Sequence, residues 1–190
     1  SDFIKRLEKM RDSDDPQKRQ SFLFMERAYN FAVENRAIGI GVLGWHSLLQ
    51  SKMLPIDSDI SNKLNVEIFK NIKEQSYEAS KKLAKEYGEP PILKGYGRRN
   101  STLMAIAPTT SSAFILGQVS QSIEPIWSNC YVKDIDKMKV TIKNKELEKL
   151  LEKKGENSKE TWKSIRDNDG SVLHLPFLSK EEKEVFKTFQ

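Results

Sequence analysis

Four consecutive hydroxyl side chains are the residues of this sequence best suited to bind a ligand: Thr109, Thr110, Ser111 and Ser112. They follow an apolar run that ends at Pro108, and a second apolar run over residues 113–117 comes after them. Hydroxyl residues in such a place often only cap the first turn of a helix. The alternative is anion binding, because free N–H groups at a helix N-terminus together with hydroxyl donors suit a phosphate even without a lysine. The residue types alone leave both interpretations open.

Arg99, Asn100 and Glu124 are candidates for a supporting role at the same site. Arg99 and Asn100 come just before the apolar run 101–107, and an arginine there could pair with an acid or with a ligand phosphate. Glu124 stands before Pro125 in an otherwise apolar run, and a buried carboxylate must be hydrogen-bonded or paired. A structural hydrogen bond to backbone N–H groups is the interpretation that we favour for Glu124.

Residues 39–44 read GIGVLG and match the G-x-G-x-x-G pattern of dinucleotide-binding proteins. That pattern needs a strand before the first glycine and a second strand that completes a β-α-β unit. The apolar residues of 25–35 and of 59–87 have helical spacing instead, so the context argues against a cofactor site. We expect the glycines to permit close packing of helices.

The histidines and the cysteine give no sign of a catalytic or metal site. His46 and His174 lack a nearby histidine or acid partner in the sequence, so packing or surface roles are expected. The single cysteine, Cys130, cannot form an internal disulfide and is expected to be a small apolar core residue. The sequence therefore predicts no catalytic residue, metal or bound cofactor in this chain, and it fits a reducing cytoplasm.

Composition and charge limit the classes of partner. With 37% hydrophobic and 31% charged residues, the chain is typical of a soluble globular protein, and it has no apolar run near the ~20 residues of a membrane span. The net charge of +5 could suggest nucleic acid. However, lysines alternate with glutamates over 144–154, which is typical of a solvated helix face rather than of a phosphate-binding surface. Neither membrane nor nucleic-acid binding is expected.

The hydrophobic pattern predicts a helix-rich α/β fold. The best-marked element is a long amphipathic helix over 59–87, which begins after an N-cap at Ser58 and ends at Gly88. The short uncharged run 101–107 predicts a strand buried on both faces, as in parallel sheets covered by helices. The other predicted elements are helices at 2–12, 20–35, 37–49 and 113–117, an exposed loop at 11–20, strands at 129–133 and 138–142, and helices at 144–154, 159–167 and 180–189.

Two strings of this sequence resemble the large (alpha) subunit of class I ribonucleotide reductases. They are residues 97–112, GRRNSTLMAIAPTTSS, and residues 122–125, SIEP. Residues 36–46 resemble the helix that precedes this region in that family, and residues 129–134 resemble the segment that comes after it. The resemblance implies that residues 1–190 are a single segment of a ten-stranded α/β barrel, with 135–190 as a peripheral hairpin and helices.

The family resemblance gives the hydroxyl cluster a role. In that family the turn after the strand corresponding to 101–107 holds the substrate diphosphate against a helix N-terminus. Carried over, this places Thr109, Thr110, Ser111 and Ser112 on the phosphates of a ribonucleoside diphosphate, which is reduced to a deoxyribonucleotide for DNA synthesis. The implied partners are the remainder of the alpha subunit and a small subunit that generates a radical at a metal centre.

The radical chemistry of that family is not carried by this chain. The family abstracts the ribose 3′-hydrogen with a thiyl radical on a loop with an Asn-x-Cys-x-Glu string, and two more cysteines reduce the 2′-carbon. No such string occurs here, Cys130 matches none of these cysteines, and the N-terminal cone and the C-terminal tail of the family are missing. We therefore expect a fragment that is inactive alone. The alternative is a stand-alone module that binds an anion or another protein, which would not leave sheet edges and apolar helix faces uncovered.

Overall fold

The computed structural model describes residues 2–135 and 138–189. The chain forms two compact units, one of Ser1–Ile40 and Phe69–Ala105 and the other of Gly41–Ile68 and Ile106–Gln190. That both units belong to a single segment of a barrel stays a prediction. That residues 135–190 lie at the periphery of that barrel also stays a prediction. Residues 136, 137 and 190 lie outside the described part of the chain. The elements are α1 (Asp2–Arg11), α2 (Pro16–Asn35), α3 (Trp45–Ser51), α4 (Asp59–Tyr87), a 3-10 turn (Pro91–Leu93), α5 (Thr110–Ile115), β1 (Cys130–Ile135), β2 (Met138–Lys143), α6 (Lys145–Lys154), α7 (Lys159–Asp167) and α8 (Lys180–Val185).

In the first unit, α1 and α2 contact each other through Tyr29 of α2. Its hydroxyl donates to the Glu8 carboxylate at 3.1 Å, and its ring meets the Phe22 ring edge-on with 5.6 Å between centroids. The loop before α2 is shorter than the predicted 11–20. Asp15 accepts the N–H of Gln17 at 2.9 Å and Pro16 takes the first helical position, so the helix already begins there. Residues 16–20 are exposed, as expected, but helical.

The long helix predicted over 59–87 is confirmed by α4. Its start is capped by Ser58, whose hydroxyl accepts the N–H of Ser61 at 3.2 Å. Gly88 follows its end with φ of 77°, a left-handed conformation that glycine adopts without a steric penalty. No helix in the described part of the chain is long and apolar enough to cross a membrane.

Residues 37–44 are not helical, so the prediction of a buried helix over 37–49 is wrong for this stretch. The helix that the family resemblance implied over 36–46 is absent from the same stretch. The N–H of Ile38 donates to Thr102 O at 3.2 Å, and the N–H of Ile40 donates to Leu103 O at 2.8 Å. Glycines alternate here with β-branched residues: glycine is a poor helix former, and β-branched residues favour extended backbone. The chain becomes helical only at Trp45, where α3 begins.

Gly39 permits a close approach of the backbone to residues 102–105. The two segments that meet here are not helices. A Cβ built on Gly39 would lie 2.6 Å from the Cβ of Ala105, well inside van der Waals contact. The expectation that these glycines serve helix packing is therefore wrong at this position, although the principle of close approach holds.

Residues 101–107 form one parallel bridge, between Met104 and Ile40, rather than a strand buried on both faces. Leu103 is buried, whereas Ile106 is 71% exposed. Within the described residues, the backbone partners of this run are Asn35, whose carbonyl accepts the N–H of Ser101 at 3.0 Å, and the segment 38–40. Burial on both faces needs strands alongside and helices above and below, and one short partner cannot supply them. The predicted buried strand is thus reduced to an extended segment.

The core of the second unit lies under the β1–β2 hairpin. Its two antiparallel strands confirm the strands that the sequence predicts near 129–133 and 138–142. Helices α6, α7 and α8 confirm the predicted C-terminal helices, although α8 ends at Val185 rather than at 189. It ends early because the N–H of Phe189 donates to Ile126 O at 3.0 Å instead of continuing the helix. Cys130 lies in this core, as expected, with Leu147, Leu151, Trp162, Ile165, Val172, Leu175, Leu178, Val185 and Phe186.

The face of α6 is solvated and carries opposite charges, as its sequence predicted. Lys149 pairs with Glu146 at 2.8 Å, one helical turn away. Side-chain caps start the three C-terminal helices: Asn144 accepts from Glu146 N, Ser158 from Thr161 N and Ser179 from Glu182 N.

A buried amide, Asn129, ties the ends of this unit together. Its Nδ2 donates to Gly170 O at 2.9 Å and to Phe186 O at 2.8 Å, and its Oδ1 accepts from Asn144 Nδ2 at 2.7 Å. Asn144 also donates to Gln50 Oε1 at 3.1 Å, which brings α3 into the same network. Asn129 therefore satisfies buried carbonyls from two segments that are far apart in sequence.

Replacing Asn129 by alanine should destabilise the second unit. The substitution leaves the Phe186 carbonyl without its donor, whereas Gly170 O keeps the backbone N–H of residue 129 at 3.2 Å. The free energy of unfolding should therefore fall by about 2 kcal/mol. All three tryptophans, Trp45, Trp127 and Trp162, lie in this unit, so urea unfolding followed by tryptophan fluorescence reports on it.

Asn168 is a matched control, because it is exposed and donates to a single helix carbonyl, Ser164 O, at 2.9 Å. Its replacement by alanine should cost less than about 1 kcal/mol. Equal losses for the two variants would contradict the role given to Asn129.

Candidate functional site

The hydroxyl cluster lies at the start of α5, in the second unit. Thr109 is the N-cap residue, with φ of 52°, and Thr110, Ser111 and Ser112 form the first turn. The carbonyl of Thr109 accepts the N–H of Ala113 at 2.8 Å, so the helix begins there. The side chain of Thr109 makes no capping hydrogen bond to the helix. Ordinary capping is therefore not what this hydroxyl does.

The four hydroxyls divide into two pairs. Thr109 Oγ1 accepts the N–H of Ser122 at 2.8 Å, and Thr110 Oγ1 donates to Gln121 Oε1 at 3.1 Å. Ser111 and Ser112 are exposed. The threonines thus connect the cluster to residues 121–122, whereas the two serines face solvent beside the first turn of α5.

Residues 120–122 are in turn held by the start of α3. The N–H of Gly44 donates to Ser120 O at 2.8 Å, and the N–H of Trp45 donates to Ser122 O at 3.3 Å. Ser47 and Ser120 bond reciprocally: Ser120 N–H donates to Ser47 Oγ at 2.8 Å, and Ser47 N–H donates to Ser120 Oγ at 3.1 Å. Ser120 and Ser122 are both buried.

His46 holds the next part of this segment. Its Nδ1 accepts the N–H of Ile126 at 3.0 Å, and the ring is fully buried. Burial lowers the pKa of His46 to about 4, while a hydrogen bond to the backbone of Val185 opposes the shift. The ring is neutral at pH 7 and fixes backbone, in agreement with the packing role expected for it. His174 is exposed and lies 2.8 Å from Ser164 Oγ, which agrees with a surface role.

The three candidate supporting residues make other contacts. Arg99 Nη1 donates to the carbonyls of Tyr87 at 2.8 Å and Gly88 at 2.7 Å, at the end of α4. Asn100 is buried, donates to Arg36 O at 2.8 Å and accepts from the Ser80 hydroxyl. Both belong to the first unit and the hydroxyl cluster to the second.

Glu124 is exposed, so the expectation of a buried carboxylate bonded to backbone N–H groups is wrong in this chain. The Pro125 and Ile126 beside it are half-buried, but the carboxylate faces water, where no partner is required. A ligand role for Arg99, Asn100 or Glu124 stays a prediction.

A cavity of about 490 Å³ lies in the second unit, between the hairpin and residues 118–128. The four predicted site residues are not among those that line it. Among the described residues, no group of three or more His, Cys, Asp or Glu side chains could hold a metal ion. The lining residues include Ser47, Ser120, Trp127, Tyr131, Lys133 and Asn144.

Sequence reasoning missed Ser47, Ser120, Gln121 and Ser122, the residues that hold the cluster. Ser47 and Ser120 are 73 positions apart, and isolated serines carry no periodic or motif signal. Within residues 122–125, SIEP, the sequence points to the Glu124 carboxylate as the group of interest. The group that contacts the cluster is instead the backbone N–H of Ser122.

Comparison with known proteins identifies similar chains. The sequence profile of the family described as ribonucleotide reductase, barrel domain, matches residues 19–94 and 91–190. The large subunit of ribonucleoside-diphosphate reductase from Invertebrate iridescent virus 3 is 42% identical over 168 residues, which cover 87% of this chain and 27% of that protein. The Danio rerio large subunit is 31% identical over 196 residues, covering 86% of this chain and 25% of that protein.

The solved structure of the Actinobacillus ureae class Id ribonucleotide reductase alpha subunit is similar along almost the whole chain. It has a TM-score of 0.83 and 51% identity, and the match covers 99% of this chain and 32% of that one. This similarity and the helix-rich element content confirm the predicted fold class, a helix-rich part of an α/β barrel. The chain spans about a quarter of the length of the two curated relatives.

Acid should destabilise the second unit through His46. Its folded pKa of about 4 lies below the ordinary value of 6.5, so the unfolded chain binds the proton more tightly. The contribution is present above pH 6.5 and is lost as the pH falls towards 4, which amounts to about 3 kcal/mol.

The measurement is urea unfolding by tryptophan fluorescence across that pH range. His46→Asn keeps an acceptor for the N–H of Ile126 but cannot titrate, so its stability should depend less on pH in this window. His174→Asn, at an exposed histidine, should keep the slope of the parent chain. A slope unchanged in His46→Asn would refute the assignment.

Proposed function

The chain belongs to the ribonucleotide reductase barrel-domain family, and we propose that it is a segment of the large (alpha) subunit of a ribonucleoside-diphosphate reductase. The whole subunit would reduce ribonucleoside diphosphates to deoxyribonucleotides for DNA synthesis. The similarity to reductase large subunits over 86% to 87% of the chain supports this assignment. Its partners would be the remainder of the alpha subunit and a small radical-generating subunit.

Within that enzyme, the segment would bind the diphosphate of the substrate at Thr109, Thr110, Ser111 and Ser112. The observation that carries this proposal is the exposure of Ser111 and Ser112 in the first turn of α5, directly after the extended run 101–107. The first N–H groups of a helix have no partner within it, and together with two hydroxyls they are suited to an anion. This is also the place to which the family resemblance assigns the diphosphate.

The radical steps would be carried out by residues outside this chain. Cys130 is buried in the hydrophobic core, and burial raises the pKa of its thiol, so it is neither accessible nor activated. The radical would come from the metal centre of the small subunit. A cytoplasmic location, which we also propose, would keep the Cys130 thiol reduced.

The exposed side chains of α2 favour a segment over a stand-alone module. Leu23, Phe24 and Phe31 are 57%, 80% and 58% exposed. A module that functions alone would bury or avoid such apolar groups, whereas a segment of a larger domain covers them with the rest of its chain.

This polypeptide alone should form no deoxyribonucleotide. It has a single cysteine, and reduction of the ribose requires a thiyl cysteine and a reducing pair. The assay combines the 190-residue chain with a radical-loaded small subunit and a ribonucleoside diphosphate, with a complete large subunit as positive control. Product formation by the 190-residue chain would contradict this prediction.

In a whole large subunit that carries these residues, replacing Ser111 and Ser112 together by alanine should raise the KM for the diphosphate substrate. Each lost neutral hydrogen bond is worth on the order of 1 kcal/mol, so the loss of two should raise KM roughly thirtyfold with kcat retained. The backbone donors remain, so binding weakens without being lost.

The control for this pair is Ser21→Ala, which removes an exposed hydroxyl that bonds only its own helix, at Gln17 O. Its KM should equal that of the parent enzyme. An unchanged KM in the double variant would rule out phosphate contacts from these two hydroxyls.

A further inference from the structure

The cavity between the hairpin and residues 118–128 has no part in the function proposed above. Its volume of about 490 Å³ is within the range of pockets that bind small molecules. Every residue that lines it belongs to the second unit, and Thr109, Thr110, Ser111 and Ser112 are not among them. The cavity is therefore separate from the hydroxyl cluster, and its own lining indicates what it can bind.

Hydrogen bonds hold the walls of this cavity in place. Ser47 and Ser120 bond reciprocally, at 2.8 and 3.1 Å, and Ser120 is buried. On another wall, the hydroxyl of Ser128 accepts the N–H of Cys130 at 3.2 Å and donates to the carbonyl of the same residue at 2.9 Å. The cavity thus exists before a ligand enters it, so binding requires little ordering of the protein.

Two aromatic side chains of the lining are open to solvent. Trp127 is 70% exposed and Tyr131 is 41% exposed. Tyr131 lies opposite Ile142 in the hairpin, and this isoleucine is buried and also lines the cavity. Exposed aromatic surface beside an apolar wall is typical of a site that receives the ring of a ligand.

A lysine places positive charge beside this aromatic surface. Lys133 comes two residues after Tyr131 in β1, so both side chains lie on the same face of the hairpin. The Nζ of Lys133 lies 3.9 Å from the centroid of the Phe114 ring, a cation–π contact. This contact holds the ammonium group without neutralising its charge, so the group can still pair with an anion.

The other charged side chains of the lining are Lys143 and Asp134. Lys143 already pairs with Glu148 at 3.7 Å and lies over the Trp162 ring, 4.8 Å from its centroid. Asp134 is exposed, so water and salt screen its carboxylate. Lys133 is therefore the charged group of the lining that a ligand would pair with.

We propose that this cavity binds a small planar aromatic anion, whose ring contacts Trp127 and Tyr131 and whose carboxylate or phosphate pairs with Lys133. An uncharged aromatic molecule would leave the ammonium group without a partner, and an anion without a ring would leave both aromatic side chains uncovered. The inference does not depend on the proposed function, because the cavity and the hydroxyl cluster share no residue.

The test uses the 190-residue chain and two probes that differ in charge, naphthoate and the neutral naphthalenemethanol. Isothermal titration calorimetry should give a Kd of about 0.1 mM for naphthoate and a Kd about tenfold higher for the alcohol. The indole N–H signals of the three tryptophans in an NMR spectrum locate the probe. Only the Trp127 signal should shift, because Trp45 and Trp162 are buried and do not line the cavity.

Substitutions separate the charge from the ring. Lys133→Gln should raise the Kd of naphthoate about tenfold and leave that of the alcohol within about twofold. Lys133→Arg keeps the charge and should stay within about threefold of the parent for both probes. Trp127→Ala should weaken both probes about fivefold, because each stacks its ring on the indole.

Two matched controls should bind both probes like the parent chain. Lys149→Gln removes an exposed lysine of α6 that does not line the cavity. Phe24→Ala removes an exposed aromatic side chain of α2, in the first unit, and so reports binding to apolar surface elsewhere.

Four outcomes would overturn the inference. Equal Kd values for the two probes would mean that apolar surface alone binds them. Calorimetric binding without a shift of the Trp127 signal would place the probe elsewhere. In a whole large subunit that carries these residues, naphthoate should bind with the same dependence on Lys133, and a loss of binding there would mean that the rest of the subunit fills the cavity. Displacement of naphthoate by a ribonucleoside diphosphate would make the cavity a part of the substrate site.

Discussion

The buried hydrogen bonds that meet at Asn129 and Asn144 are the constraint on which the second unit depends. Asn144 Oδ1 caps α6, so its Nδ2 can only donate, to Asn129 Oδ1 and to Gln50 Oε1. This fixes the orientation of all three amides, because each must donate from its nitrogen and accept at its oxygen. The hairpin, α3 and the C-terminal segment around Phe186 are joined in this way by the amides of Asn129, Gln50 and Asn144, of which the first two are buried.

Through α3, the same constraint reaches the candidate site. Gln50, near the end of α3, accepts a hydrogen bond from Asn144. In the first turn of α3, His46 accepts the N–H of Ile126 and Ser47 accepts the N–H of Ser120. Ile126 is held by His46 on its N–H and by Phe189 on its carbonyl. The surroundings of the hydroxyl cluster are therefore set by backbone groups with fixed partners, which suits a site that relies on N–H donors rather than on charged side chains.

In the first unit, some elements find few partners among the described residues. Residues 101–107 remain an extended segment with one bridge, and α2 leaves Phe24 and Phe31 exposed. By contrast, α4 has its full predicted length, because residues close to it in sequence form both of its ends. Ser58 caps its start, Gly88 ends it, and Arg99 donates to the carbonyl of Tyr87. Helices satisfy their own backbone, whereas a parallel strand depends on neighbours distant in sequence.

The sequence by itself determined the helices with marked ends, the hairpin, the core position of Cys130 and the location of the hydroxyl cluster at a helix start. The helices, the hairpin and the cluster position depend on local signals such as an N-cap, a glycine or a period of apolar side chains, whereas the position of Cys130 follows from its apolar residue type. Only the tertiary structure decided that residues 37–44 are not helical, that Glu124 faces water, that Arg99 and Asn100 bond backbone carbonyls, and that Thr109 is held by Ser122. These outcomes depend on hydrogen bonds between residues distant in sequence, such as the 73 positions between Ser47 and Ser120, and no local pattern encodes which buried group a polar side chain will meet.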